Sequence, residues 1–268
     1  MALQLSPAWF QLLPQLRYEP TPKRIRAQVG TSMALDTTGA MLVYEPRRVT
    51  PIFAVPAEDL AAQLVPSASA PDRPDPAPVM DPRFPFTVHT TPGTEFDVVT
   101  SSRTLPGAAF RPDDPDLDGL LLLDFAAFDG WFEEDEPIKG HPRDPFHRVD
   151  VRASSRTSRV ELNGRVLAET SHPLFVYETL VPVRTYYPRE DVDWNVLQRS
   201  PAETICPYKG TAAYWSVAGV PEAGDLAWSY ESVLPDSVQL QDLVSFYDER
   251  TDVYVDGEKR DVGSLYRF

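Results

Sequence analysis

Cys206 is the single cysteine of the chain, and it opens the run Cys206-Pro207-Tyr208-Lys209. A thiol beside an ammonium is the arrangement that lowers a thiol pKa below its usual value of about 8.5 and produces a nucleophilic thiolate. Such a nucleophile needs a base, and His172 is the histidine available to it in the second half of the sequence. The competing reading is a small buried residue before a turn, since cysteine is among the most buried residue types. Glu178 follows a tyrosine, as does Glu45. Each carboxylate could act as a general acid or base, or be held in a structural pairing, Glu178 with Arg189. Tyr187, Arg189, Cys206, Tyr208, Lys209 and Trp228 form the candidate ligand-binding set, with Arg189 or Lys209 meeting an anionic group. Aromatic walls with a few oriented polar groups are the usual form of a small-molecule site. The same rings are also what a small domain needs to fill a thin core. Tyr214 and Trp215 are neighbours on a strand, so only one of them can face a given pocket.

Three further constellations read more simply as structure. His141, Arg143, Asp144 and His147 could hold a metal or an anion. Their spacing fits no standard zinc signature and prolines fall between the histidines, so anchoring of the two halves to each other is preferred, and no metal is assigned. The run Asp114-Pro115-Asp116-Leu117-Asp118-Gly119 resembles the start of a calcium loop, but Phe125 stands where the twelfth position needs Glu. An acidic helix start explains it better, and Glu133-Glu134-Asp135-Glu136 reads as a solvated turn. Asp191-Val192-Asp193 is an acidic pair of the kind nucleotidyl transfer uses, yet no Gly-Ser helix start or phosphate-binding glycine loop accompanies it.

The elements that must position these side chains occur twice. Met41-Leu42-Val43-Tyr44-Glu45 echoes Leu174-Phe175-Val176-Tyr177-Glu178, Ala34 to Thr37 echoes Leu167 to Thr170, and Val55 to Leu60 echoes Tyr187 to Val192. Pro92 to Val98 aligns with Lys209 to Trp215, and Phe125 to Asp129 with Val244 to Asp248. Internal repeats of this kind fix architecture before any local reading does. Each copy reads as mainly strand. Asn163-Gly164 between alternating runs is a hairpin signal, because both central residues of a type I′ turn need positive φ. Leu174 to Glu178, Arg184 to Tyr187, Ala213 to Val217, Ala227 to Tyr230 and Asp252 to Val255 are the strands that follow. One or two short helices are expected per copy. One is capped by Asp236 or Ser237 and runs through Leu240, Leu243, Val244 and Tyr247, with its counterpart from Asp118 over Leu121 to Phe128. Shorter ones start near Glu58 and Glu190, each after a proline. The repeats span 22–140 and 158–268, joined by 141–157, and the first carries an insertion at 66–85. Pro66, Pro71, Pro74, Pro76, Pro78, Pro82 and Pro85 mark this insertion as an exposed extended loop.

Composition bounds the function. With 25 Lys and Arg against 40 Asp and Glu, the formal charge is −15, which works against nucleic-acid binding. No apolar run nears a membrane span of roughly 18 residues, and Met1 to Pro7 lacks the basic and long apolar regions of a secretory leader. A cytoplasmic location is therefore expected, with no membrane partner. The 28 prolines outnumber the 13 glycines, and much of that excess falls in the insertion.

The string Cys206-Pro207-Tyr208-Lys209-Gly210-Thr211-Ala212-Ala213-Tyr214-Trp215-Ser216-Val217 resembles the signature of the bacterial domain-of-unknown-function family 427. So do Val176 to Thr179, Tyr186 to Val192, Ala227 to Tyr230, and Phe246-Tyr247 with Val255-Asp256-Gly257. His141 to Asp150 looks like the junction of the family's tandem members. The resemblance implies a small β-rich domain related in shape to β-tent, or Mss4-like, folds, here in two copies. A nucleotidyltransferase label is sometimes attached to the family, but the resemblance implies no particular reaction and no cofactor. Where the second copy has Tyr186-Tyr187-Pro188-Arg189 and Cys206-Pro207-Tyr208-Lys209, the first has Ala54-Val55-Pro56-Ala57 and His89-Thr90-Thr91-Pro92. The expectation is a small-molecule-binding or catalytic β-domain with its pocket in the second repeat, taking a small anionic ligand. Its rival is a non-enzymatic module that meets a protein partner through the proline-rich loop.

Overall fold

The computed structural model describes residues 2–68, 72–74 and 76–261. Pro71 of the proline run and the stretch 262–268 of the second repeat lie outside them. The chain divides between Asp144 and Pro145 into two compact units, and among the described residues no helix is long and apolar enough to cross a membrane.

Both units are built almost wholly of antiparallel strands. The first opens with one short helix, α1 (Leu5–Phe10), then β1 (Arg17–Pro20), β2 (Ile25–Val29), β3 (Ser32–Thr37), β4 (Met41–Tyr44), β5 (Ile52–Pro56), β6 (Gln63–Pro66), β7 (Gly93–Val99), β8 (Thr104–Pro112), β9 (Leu120–Leu123), β10 (Gly130–Glu133) and β11 (Glu136–Ile138). The second holds β12 (Val149–Ala153), β13 (Ser158–Leu162), β14 (Arg165–Thr170), β15 (Leu174–Glu178), β16 (Arg184–Tyr187), β17 (Leu197–Cys206), β18 (Gly210–Val217), β19 (Ala227–Val233), β20 (Val244–Phe246), β21 (Asp252–Val255) and β22 (Glu258–Lys259). The seven-stranded sheet of the first unit has the order β1-β4-β5-β9-β8-β7-β6, and that of the second β12-β15-β16-β20-β19-β18-β17. The four-stranded sheets run β11-β10-β2-β3 and β14-β13-β21-β22. Each strand of one unit thus has a counterpart eleven places on in the other, paired in the same way.

Strand alternation explains how one sheet serves two apolar layers. In the first unit Val55, Leu121 and Phe96 pack with Ile25, Ala27 and Leu35 of the smaller sheet, while Ala54, Leu122 and Phe110 pack on the opposite face. In the second unit Tyr187, Val244 and Trp215 face the smaller sheet with Val160 and Leu167, while Tyr186, Tyr214, Trp228 and Tyr230 line the other face. Tyr214 and Trp215 do lie on opposite sides.

The Asn163-Gly164 turn has φ of 52° and 78°, the two positive values that its sequence calls for. Gly210, at φ 116°, opens β18 so close to β19 that a Cβ there would sit 2.1 Å from the Ser232 carbonyl oxygen.

The longer helices expected from sequence are absent. Val244–Phe246 and Leu120–Leu123 are strands, and Pro235–Leu240 is a kinked 3-10 segment. Leu120 to Leu123 are buried on both faces as the central strand of their sheet, so their apolar run carries no two-residue alternation and mimics a buried helix. The short turns after Pro56 and Pro188 are present as 3-10 helices at Ala57–Asp59 and Arg189–Asp191. Asp114 caps one more by accepting from the Asp116 amide at 3.0 Å, so the calcium-like run is a helix start.

Two repeat alignments shift accordingly. Val55 pairs with Leu121 as Tyr187 pairs with Val244, so Leu121 and not Phe125 corresponds to Val244. Glu95 faces Phe110 as Tyr214 faces Trp228, two residues from the alignment made on sequence. The segment taken as a junction contains β12, an edge strand of the second unit's own sheet.

Candidate functional site

The outer face of the second unit's large sheet gathers the polar groups. Glu178 ends β15, opposite Val149 of β12. Its buried carboxylate receives the Lys209 ammonium on one oxygen and meets His147 Nε2 at 3.0 Å on the other. Lys209 closes the turn between β17 and β18, where Cys206 pairs with Gly210. That turn is fixed from the next segment: the Leu234 amide donates to the Lys209 carbonyl at 3.1 Å, and the Ser237 hydroxyl to the Tyr208 carbonyl at 3.2 Å. His147 stacks on Tyr208 with centroids 4.3 Å apart. Trp228 Nε1 donates to the Tyr186 hydroxyl at 3.1 Å, and the Lys209 ammonium lies 6.0 Å from the Tyr230 ring centre.

Burial and charge set the protonation of Glu178, Lys209, Tyr186 and Tyr230. Burial alone would raise the Glu178 carboxyl, but the His147 hydrogen bond and the Lys209 charge outweigh it and hold it at about 2. Burial would lower Lys209, yet Glu178 carries it above its ordinary value. Burial pushes Tyr186 up to about 12 and Tyr230 well above the usual phenol. At neutral pH the cluster is therefore one carboxylate, one ammonium and neutral hydroxyls. A carboxylate so acidic is a poor base, and an ammonium so held is not a nucleophile. Glu178 and Lys209 are thus held as a charged pair.

Residues 150–257 match the family model described as a domain of unknown function (DUF427). The second unit belongs to the DUF427 family. No curated protein matches the chain.

The candidate residues of the DUF427 unit separate onto two faces. Cys206, Tyr208, Lys209 and Trp228 join the cluster around Glu178. Tyr187 points to the inner layer and shares a 3.0 Å hydrogen bond with Ser158. Arg189 is on that side, its guanidinium carbon 4.1 Å from the Trp194 ring centre and 5.7 Å from that of Trp215. Glu178 pairs with Lys209 and His147 and not with Arg189. His172 meets Asp191 at 3.7 Å and not the cysteine. Asp193 accepts from the Asn195 amide and from Arg165, so its carboxylate is already engaged. Of the four residues expected to anchor the halves, His141, Arg143 and Asp144 fall in the first unit and His147 in the second. Tyr186 and Tyr230 belong to the cluster and were missed. Strand period offered Tyr230, two residues from Trp228, whereas nothing in the sequence placed His147 against Glu178.

The first unit keeps the carboxylate and changes its partners. Glu45, wholly buried, meets His89 Nδ1 at 3.1 Å, accepts from the Thr90 amide at 3.1 Å, and has Arg48 Nε 3.6 Å away. His89 stacks on Phe110 at 3.7 Å. His89 arrives at the end of the β6–β7 connection, as Lys209 does at the end of the β17–β18 turn. In the first unit that connection is the proline-rich insertion. Only part of it is exposed. Met80 is buried, exchanging backbone bonds with Arg47 and Val49, and Arg48 donates to the Val88 carbonyl at 2.7 Å. The insertion thereby roofs a cleft of about 310 Å³ in the first unit, walled by Phe84, Phe86, Phe125 and Ile52 and bearing Arg48 and Asp124.

Proposed function

We propose that the DUF427 unit is a non-covalent binding domain for a small polar molecule of no net charge, received on the face that carries Glu178, Lys209, Tyr186, Tyr208 and Tyr230. One observation carries this reading: a buried carboxylate–ammonium pair sits among tyrosines on a sheet face that the first unit fills with Val43, Ala54, Phe110 and Leu122. A buried ion pair is often replaceable by apolar residues at no loss of stability, so packing does not call for it. Perturbed, desolvated groups gathered on one face are a mark of a binding site. Because Glu178 and Lys209 cancel each other, the face favours a zwitterion or a neutral polyol or amide over a free anion. Cys206 lines this face as a thiol contact and not as a nucleophile: His172 is turned to Asp191 and His147 to Glu178.

A thermal-shift panel of glycine, glucose, adenosine, succinate and inorganic phosphate on the full chain tests the proposal. A compound at a hundredfold its Kd adds about 2.7 kcal/mol of stability. Glycine, glucose or adenosine should raise Tm in the native chain and in Arg189→Ala, and lose the effect in Lys209→Met. A flat panel, or a response confined to succinate and phosphate, defeats the reading.

A further inference from the structure

Arg184 of the DUF427 unit and the cleft of the first unit occupy corresponding places. Arg184 pairs with Val176 as Ile52 pairs with Val43. Ala227 faces Phe246 as Ala109 faces Leu123, so Tyr247 and Asp124 correspond, and Glu249 and Ala126 two residues further on. In the DUF427 unit the buried Arg184 guanidinium grips Glu249 with bonds of 2.9 and 2.6 Å. It lies 5.8 Å from the Trp228 ring centre and 6.0 Å from that of Tyr247, with Asp248 at 3.5 Å. In the first unit the cation is gone: Ile52 replaces it, and the space it would fill opens into the cleft.

What remains around that space suits a cation. Phe84 and Phe86, brought by the insertion, and Phe125 supply aromatic walls. Arg48 is committed to Glu45 and to the Val88 carbonyl, and Arg83 to Asp81. His141 is turned to the Pro142 carbonyl at 2.7 Å. Asp124 accepts a 3.0 Å bond from the Ala126 amide, and among the described residues it is the lining carboxylate without an ion pair. Burial holds its carboxyl above the ordinary value, against the smaller opposing effects of Ala126 and His89. A desolvated carboxylate between aromatic rings is the recognition chemistry of weakly hydrated cations.

We propose that the first unit binds an organic cation, a guanidinium or alkylated ammonium, in the cleft between Asp124 and the rings of Phe84, Phe86 and Phe125, where its charge takes the place held by Arg184 in the DUF427 unit. The site is separate from the one proposed for the second unit and stands without it. Titrations of the full chain with choline and with ethylguanidinium, followed calorimetrically, test it, and 3,3-dimethylbutan-1-ol serves as the uncharged twin of choline. Both cations should bind, and the alcohol should bind at least about tenfold more weakly, the worth of one charged contact. Asp124→Asn, which keeps the cap to Ala126, should weaken the cations about tenfold or more. Phe84→Leu, which keeps the apolar surface and removes the ring face, should weaken them about twofold to fivefold. Equal binding of the alcohol and choline overturns the proposal. So does unchanged cation binding by Asp124→Asn, or no binding of either cation at millimolar concentration.

Discussion

The two units turn one connection to different ends. In both, a strand leads out to a link that must return to the next strand and satisfy a buried carboxylate, Glu45 or Glu178. The DUF427 unit does this with a three-residue turn whose last member, Lys209, neutralises Glu178. The first unit does it with a proline-rich excursion that ends on His89 and leaves a cleft beneath it. What both share is a buried carboxylate with a basic partner drawn from that link. What differs is a face of tyrosines in one and a phenylalanine-walled cleft in the other, and the two binding proposals rest on that difference.

The largest effect expected concerns Arg184, the residue whose absence distinguishes the first unit. Burial would lower this guanidinium's pKa, but Glu249 and Asp248 more than compensate. Arg184→Ile copies the first unit's residue, takes the guanidinium from Glu249 and leaves the buried Asp248 to Arg260. Removing one partner of a buried pair costs roughly 3–5 kcal/mol. Hydrogen exchange should show β16 and β20 losing protection while β5 and β9 keep theirs. Equal loss in both units would mean that they unfold as one, and the comparison would have to be made at the level of the whole chain.

Next in size is the ion pair itself. Glu178 has a folded pKa of about 2, below its ordinary 4.5. Its stabilisation is thus complete above pH 4.5 and is lost as pH falls towards 2. Lys209 is raised above its ordinary 10.5, so its share is complete below that pH and is lost only as pH rises through the raised value. Lys209→Met should cost roughly 3 kcal/mol at pH 7 by taking the ammonium from a buried carboxylate that keeps His147. The gap from the native chain should close as acid protonates Glu178, read from urea midpoints at a series of pH values. A gap independent of pH would assign the loss to packing by the lysine stem.

The repeat was legible wherever strand edges carry alternating or turn-forming residues. Asn163-Gly164 declared its hairpin, and Tyr44-Glu45 and Tyr177-Glu178 declared a common strand end. Legibility failed at Leu120 to Leu123 and Val244 to Phe246. A strand buried on both faces has no polar face to betray its period, and leucine serves helix and strand cores alike. The site was half legible for a similar reason. Tyr186 and Tyr187 are adjacent, and register alone decides which of them faces Trp228. The pairing of Glu178 with Lys209 and His147 joins residues 31 apart in sequence on either side, a distance that no local pattern spans.

The smallest effect tests the comparison from the other side. If Asp124 is a carboxylate waiting for a ligand's cation, it is a burden on the empty first unit and not a support. Its raised pKa has that sign: stability associated with it is complete below the ordinary 3.8 and diminishes as pH rises through the folded value. Asp124→Asn should therefore leave the first unit as stable as before or raise its stability, by no more than about 1 kcal/mol because solvent still screens a half-buried carboxylate. Asparagine caps the Ala126 amide as well as aspartate does, so the cap does not confuse the outcome. The gain should appear near pH 7 and vanish in acid, where the native carboxyl is itself neutral. Loss of stability near pH 7 would instead make Asp124 a working part of the fold, matched by some internal charge. The cleft would then be a packing defect beneath the insertion and not the place of a missing guanidinium.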